Sequence, residues 1–204
     1  LTLTVLSLAA CGAEGAGPKA AAGPCANVQP ILDARLEEAP FLSLRGDNKM
    51  LGDNPLPDSF IGKHDAFGSQ CETSVMGGFF GASSTIYTYG CTLFEAGRLD
   101  QEANAALAEE KFKEVQDEMA ACLGDGWTAS ETTENPEYEV YRKIKWKPVE
   151  AETSNSGFTV DPVYLEMSFT PFMRGRGGPS GWLVHFQAQA QVDLGIEVLE
   201  GRDM

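Results

Sequence analysis

Val163-Tyr164-Leu165-Glu166-Met167-Ser168-Phe169 is the stretch that decides the fold: Val163, Leu165, Met167 and Phe169 fall on one side of an extended chain, and Tyr164 and Glu166 on the other. Two further segments repeat the pattern. Trp182, Val184, Phe186, Ala188 and Ala190 share one side of a strand whose other side carries His185, Gln187 and Gln189, and Tyr138, Val140, Ile144 and Trp146 share a side opposite Lys143 and Lys145. Clean alternation means one face on a core and one face wetter, which favours antiparallel pairing over a parallel sheet buried on both faces. The loops around Ser154-Asn155-Ser156-Gly157 and Arg174-Gly175-Arg176-Gly177-Gly178-Pro179 suit meander connections between these strands.

Upstream lies the clearest helix. Between Gln101 and Leu123, residues Ala105, Ala108, Phe112, Val115, Met119 and Cys122 recur at spacings of three and four, with acidic residues and lysines mostly elsewhere. Asp100 is placed to cap it and Gly124 to end it. Before it, two β-prone runs between Gln70 and Phe94 flank a Gly-rich turn and predict a hairpin. A first helix is expected from Asn27 to Ala39, capped by Asn27 and closed by Pro40. The segment from Phe41 to Asp65, with Gly46-Asp47-Asn48 and Gly52-Asp53-Asn54, has the composition of a loop. The expected fold is therefore α+β: an antiparallel sheet of about five strands with two helices on one face, in the order α-β-β-α-β-β-β.

The chain has 204 residues, 43% of them hydrophobic, enough for one ordinary core. Thirty acidic residues against fifteen Lys and Arg give a net charge of -15, which repels phosphate backbones and anionic lipid surfaces and argues against nucleic acid as a partner.

Leu1 to Ala10 is an uncharged, largely apolar run, too short to span a bilayer, ending in Leu8-Ala9-Ala10-Cys11-Gly12. These residues resemble the lipobox of bacterial lipoprotein precursors at all four of its positions. That resemblance implies that residues 1–10 are the end of a signal peptide, that Cys11 is diacylglycerated, and that Cys11 becomes the first residue of the mature protein. Two or three acyl chains, at about 0.8 kcal/mol per buried methylene, would anchor the protein without a membrane span. Precursors of the family begin with Met and a basic segment, so the start of this one is expected upstream of Leu1 or at a non-Met codon. Gly12, in place of the Asp that retains many Gram-negative lipoproteins in the inner membrane, implies the outer membrane, facing the periplasm, if the source has two membranes. Residues 11–24, rich in Gly, Ala and Pro, form a flexible tether of about 20 Å root-mean-square length. Residues 25–204 form one domain with a short C-terminal tail.

Four Cys remain beyond the lipid site, and an exported protein tends to pair them. A hairpin folded about Gly81 sets Cys71 opposite Cys91. Cys91 with Cys122 is strained, because a helix of about 33 Å separates them. Cys25 with Cys122 is then left, and the open alternative is that some of these, Cys122 in particular, stay as buried thiols.

Chemical motifs are sparse. Gly178-Pro179-Ser180-Gly181 lacks the spacing of a nucleophile elbow. His64-Asp65 could be a metal or acid-base pair that His185 joins, and Asp47, Asn48, Asp53, Asn54 and Asp58 offer oxygen ligands without the order of a calcium loop. The Arg174 to Gly178 loop could face an anion, although Gly-rich turns look alike without one. No cofactor or metal is expected. A recognition surface is the stronger reading: Tyr141, Lys143, Lys145, Tyr164, Glu166, His185 and Gln187 would share the wetter face, where carboxylates such as Glu166 pair with the lysines across strands. The residues thus favour a lipid-anchored, non-enzymatic envelope module that binds a protein or cell-wall component. An envelope hydrolase, and an acidic inhibitor or immunity factor for a basic partner, are the alternatives.

Overall fold

In the computed structural model, residues 23, 25–78, 83–150, 161–171 and 180–193 are described. The lipobox, most of the tether, the Ser154 and Arg174 loops and the C-terminal tail lie outside them.

The three alternating segments become β6 (Val140–Pro148), β7 (Val163–Thr170) and β8 (Gly181–Asp193), each antiparallel to the next. The predicted hairpin becomes β3 (Cys71–Gly77) and β4 (Ser84–Ala96), with Cys71 opposite Cys91. The sheet is larger than five strands. The described residues hold eight, in the spatial order β1-β2-β3-β4-β8-β7-β6-β5, with β1 (Arg45–Leu51), β2 (Asn54–Gly62) and β5 (Trp127–Thr132) added to those expected. The element order is α-β-β-β-β-α-β-β-β-β, and the protein is predominantly β.

The reasons for the difference are local. The segment read as a loop folds as the β1–β2 hairpin, turning at Gly52-Asp53, where Gly52 has φ +62° as the first central residue of a tight turn. Its ladder is interrupted by register shifts between Arg45 and Met50, and Asp58 has φ 57°. Irregular pairing scatters the period-two signal. β5 is nearly all solvent-exposed, so no apolar face marks it.

The first helix, α1, is shorter than expected, Gln29–Ala34, with Pro30 in its first turn. Asn27 does not cap it: the side-chain amide donates instead to the Glu118 carboxylate of α2. α2 spans Gln101–Leu123 as its periodicity predicts, although Asp100 caps only through its carbonyl, which accepts the Asn104 N–H at 3.0 Å. Tyr138 lies before β6 and stacks on Tyr141, ring centroids 5.2 Å apart, and is not in line with Val140.

Both helices lie on one side of the sheet. Ala108, Phe112, Val115 and Met119 of α2 are buried against Val163, Leu165, Met167, Val184 and Phe186, and the loop residue Phe67 meets Phe186 edge-on at 5.1 Å. Burying each of these side chains larger than alanine contributes about 1.5–3 kcal/mol. Cys25 and Cys122 stand at disulfide distance and tie the approach to α1 to the end of α2, while Cys71 and Cys91 do the same across β3 and β4. No helix among the described residues is long and apolar enough to cross a membrane.

Candidate functional site

Because α1 and α2 share one side, the other side of β6, β7 and β8 carries the polar half of each alternating strand. Register aligns the side chains in rows: Lys143, Glu166 and His185 in one, Lys145, Tyr164 and Gln187 in the next, with Tyr141 a row further along β6. All seven residues singled out from the sequence therefore share one face.

Their pairing differs from the expected one. Glu166 does not take a lysine; it accepts the Tyr141 hydroxyl at 3.3 Å. Asp161, just before β7, takes both lysines, with Lys143 Nζ at 3.1 Å and Lys145 Nζ at 3.4 Å from its two oxygens. Lys143 Nζ also sits 3.7 Å from the centre of the Tyr164 ring, a cation over an aromatic face. His185 Nε2 lies 3.1 Å from Gln187 Oε1, within hydrogen-bonding distance, and its ring lies 6.4 Å from that of Tyr164. Beneath the imidazole is bare backbone: a Cβ on Gly90 of β4 would stand 3.0 Å from His185 Cε1.

Burial sets the protonation states. The Tyr141 hydroxyl is pushed up to about 12, first by burial and then by the Glu166 charge. Burial also raises Tyr164, reinforced by Glu166 and Asp161. Burial lowers His185, against the opposing pull of the Gln187 hydrogen bond and Glu166. Around neutral pH the face thus presents neutral imidazole, protonated phenols, amides and a lysine pair around a carboxylate, a set suited to hydrogen bonding and stacking. Asp161 and Gly90 were not among the residues singled out, and Tyr138 was placed on the other side. The signal for Asp161 was Lys143 and Lys145 facing the same way, since two half-buried ammonium groups side by side require an anion.

The other candidates are dispersed. His64 lies on the helix side, its Nε2 3.0 Å from the Asn27 carbonyl and its backbone joined to the Tyr89 hydroxyl, so the sheet separates it from His185. Asp47, Asn48, Asp53, Asn54 and Asp58 are strung along the β1–β2 hairpin, and no group of three or more metal-ligating side chains converges among the described residues. Arg142, in line with Val140 and Ile144, points to the helix side, where it lies over the Phe112 ring at 4.6 Å and bonds Glu109 and Glu131. Two clefts also open on the helix side, one of about 230 Å³ between Leu93, Phe94 and α2, the other of about 250 Å³ between Leu32, Leu123 and Trp127. Cys11 and Arg174 lie outside the described residues.

No family model, curated protein or solved structure matches the chain.

Proposed function

We propose that the protein is a lipid-anchored cell-envelope module, held through Cys11, that binds a protein or cell-wall partner with the polar face of β6, β7 and β8 and catalyses no reaction. The observation that carries this reading is the convergence of Tyr141, Lys143, Lys145, Tyr164, Glu166, His185 and Gln187 on the side of the sheet opposite the helices. A rigid sheet offers such groups at little ordering cost, because strand pairing already fixes their spacing. The two cysteine pairs at disulfide distance fit the oxidising compartment that an exported protein enters. His64 and His185 lie on opposite sides of the sheet, so the hydrolase alternative cannot bring those two into one site.

Two experiments separate the anchor from the face. Acyl labelling in a bacterial host should depend on Cys11 and vanish in Cys11→Ser; absence of label on the unaltered chain would remove the anchor. Crosslinked recovery from detergent-solubilised membranes should lose a specific partner in the Lys143→Glu, Lys145→Glu double variant, with folding checked by circular dichroism. A folded double variant that recovers the same partner in full would remove the face. A second reading, an inhibitor or immunity factor for a basic partner, is favoured by the charge of -15, which accelerates encounter with a cationic protein.

A further inference from the structure

We infer that the outer edge of β5, Trp127–Thr132, is a strand-addition site for an extended, basic segment of a protein partner. The inference does not rest on the polar face proposed above.

The two ends of the sheet are built differently. At one end, β1 is irregular: its ladder with β2 shifts register twice, and Lys49 projects from it to Glu72. Shifts and lysines are how sheets keep an edge from pairing further. At the other end, β5 pairs with β6 through an uninterrupted run from Trp127 opposite Pro148 to Thr132 opposite Lys143. It contains neither Lys nor Pro, and every residue from Thr128 to Thr132 is exposed. β5 is the last strand in the order of the sheet among the described residues.

The phase of the ladder identifies the groups on offer. The Val149 N–H donates to the Gly126 carbonyl at 3.0 Å, so antiparallel alternation turns the backbone of Thr128, Ser130 and Thr132 toward β6. The N–H and C=O of Ala129 and Glu131 then point outward, with the spacing an added strand would use. Thr128, Ser130 and Thr132 line the polar side of the edge with hydroxyls that suit β-branched neighbours on such a strand.

Charge selects the occupant. Asp125 precedes the edge, Glu131 lies on it bonded to Arg142, and Glu134, Glu137 and Glu139 follow it; Lys143, Lys145 and Lys147 stand opposite Thr132, Ser130 and Thr128, the first two held by Asp161, so the acidic surplus lies at the two ends of the edge. A second copy would bring the same acidic residues against these, whereas a basic strand would complement them.

Ala129→Pro tests the geometry. It deletes an outward N–H while leaving every β5–β6 bond in place, and an edge strand accepts Pro at such a position. Anisotropy of a fluorescein-labelled Lys-Thr-Lys-Val-Lys-Thr peptide with the full chain should show binding, weakened about tenfold or more by Ala129→Pro. Methylating alternate backbone nitrogens of the peptide should abolish binding to the unaltered chain, a test that does not depend on how the variant folds. A peptide with Glu for each Lys should not bind. Failure of the basic peptide to bind, or binding indifferent to both Ala129→Pro and N-methylation, would overturn the site. Sedimentation showing a dimer that Ala129→Pro dissolves would overturn the basic partner in favour of a second copy.

Discussion

The two sides of the central strands solve different problems with the same register. Toward the helices, Phe186 lies between Cys91 of β4 and Leu165 of β7, all fully buried, under the apolar stripe of α2. One residue along on the opposite side, Gln187 sits between Gly90 and Tyr164, and its side-chain oxygen lies 3.1 Å from His185 Nε2. Buried apolar atoms derive stability from water they no longer touch, whereas paired polar groups exchange water for one another and gain little. The helix side should therefore dominate folding and leave the polar side available for recognition.

The largest contrast comes from adjacent positions on β8. Phe186→Ala should cost about 3–5 kcal/mol, from lost burial and the cavity beneath α2. Gln187→Ala should cost less, about 1–2 kcal/mol, because it leaves the His185 ring nitrogen without its partner. Urea titration of both variants measures the difference directly; similar costs would mean that the polar side also serves as core.

The cysteine pairs sharpen the contrast from the helix side. Cys71 and Cys91 are fully buried there and close a loop with a sequence separation of 20. Replacing both with Ala should destabilise the folded state by about 2–5 kcal/mol, read from the shift in urea midpoint under non-reducing conditions. An unchanged midpoint would mean that the two sulfurs contribute packing that alanine can replace. The cost should fall on unfolding, leaving any partner affinity of the polar face intact.

What could be read from the sequence follows the same division. β6, β7 and β8 declared themselves because each has one buried side, so side-chain chemistry reports the pleat. β5 has no such side, and β1 and β2 combine Gly, Pro and Asp with a shifting register, so exposure concealed one strand and turn chemistry two. Neighbours in sequence placed the seven polar side chains on one face, but not their partners. Asp161 precedes β7 and reaches the lysines only once β6 and β7 are paired, and Gly90 lies under His185 only because β4 pairs with β8. Both contacts belong to strand register, which no single segment encodes. α1 was overextended for a similar reason: Leu36, four residues past the buried Leu32, is 68% exposed, while Phe41, past Pro40, is the residue that enters the core.

The smallest expected effect is also the most specific to the polar side. Burial over Gly90 lowers the His185 pKa in the folded protein below the ordinary value of about 6.5 that it recovers on unfolding. Above that value the imidazole is neutral in both states and contributes no pH dependence. As pH falls below it, the unfolded chain takes up the proton first, so stability declines until the folded-state pKa is passed. Glu166 and Glu72 moderate the decline by favouring the cation, and Lys143 deepens it. His185→Gln should flatten this part of the pH–stability profile, measured as the difference from the unaltered chain so that His64 cancels. Nuclear magnetic resonance titration of the two imidazoles should show one titrating below the range of a free histidine and missing from the variant. An imidazole at position 185 that titrates at or above the ordinary value would place it in water, and the polar face would then be an open surface and not the half-buried network that Gly90, Gln187 and Tyr164 define.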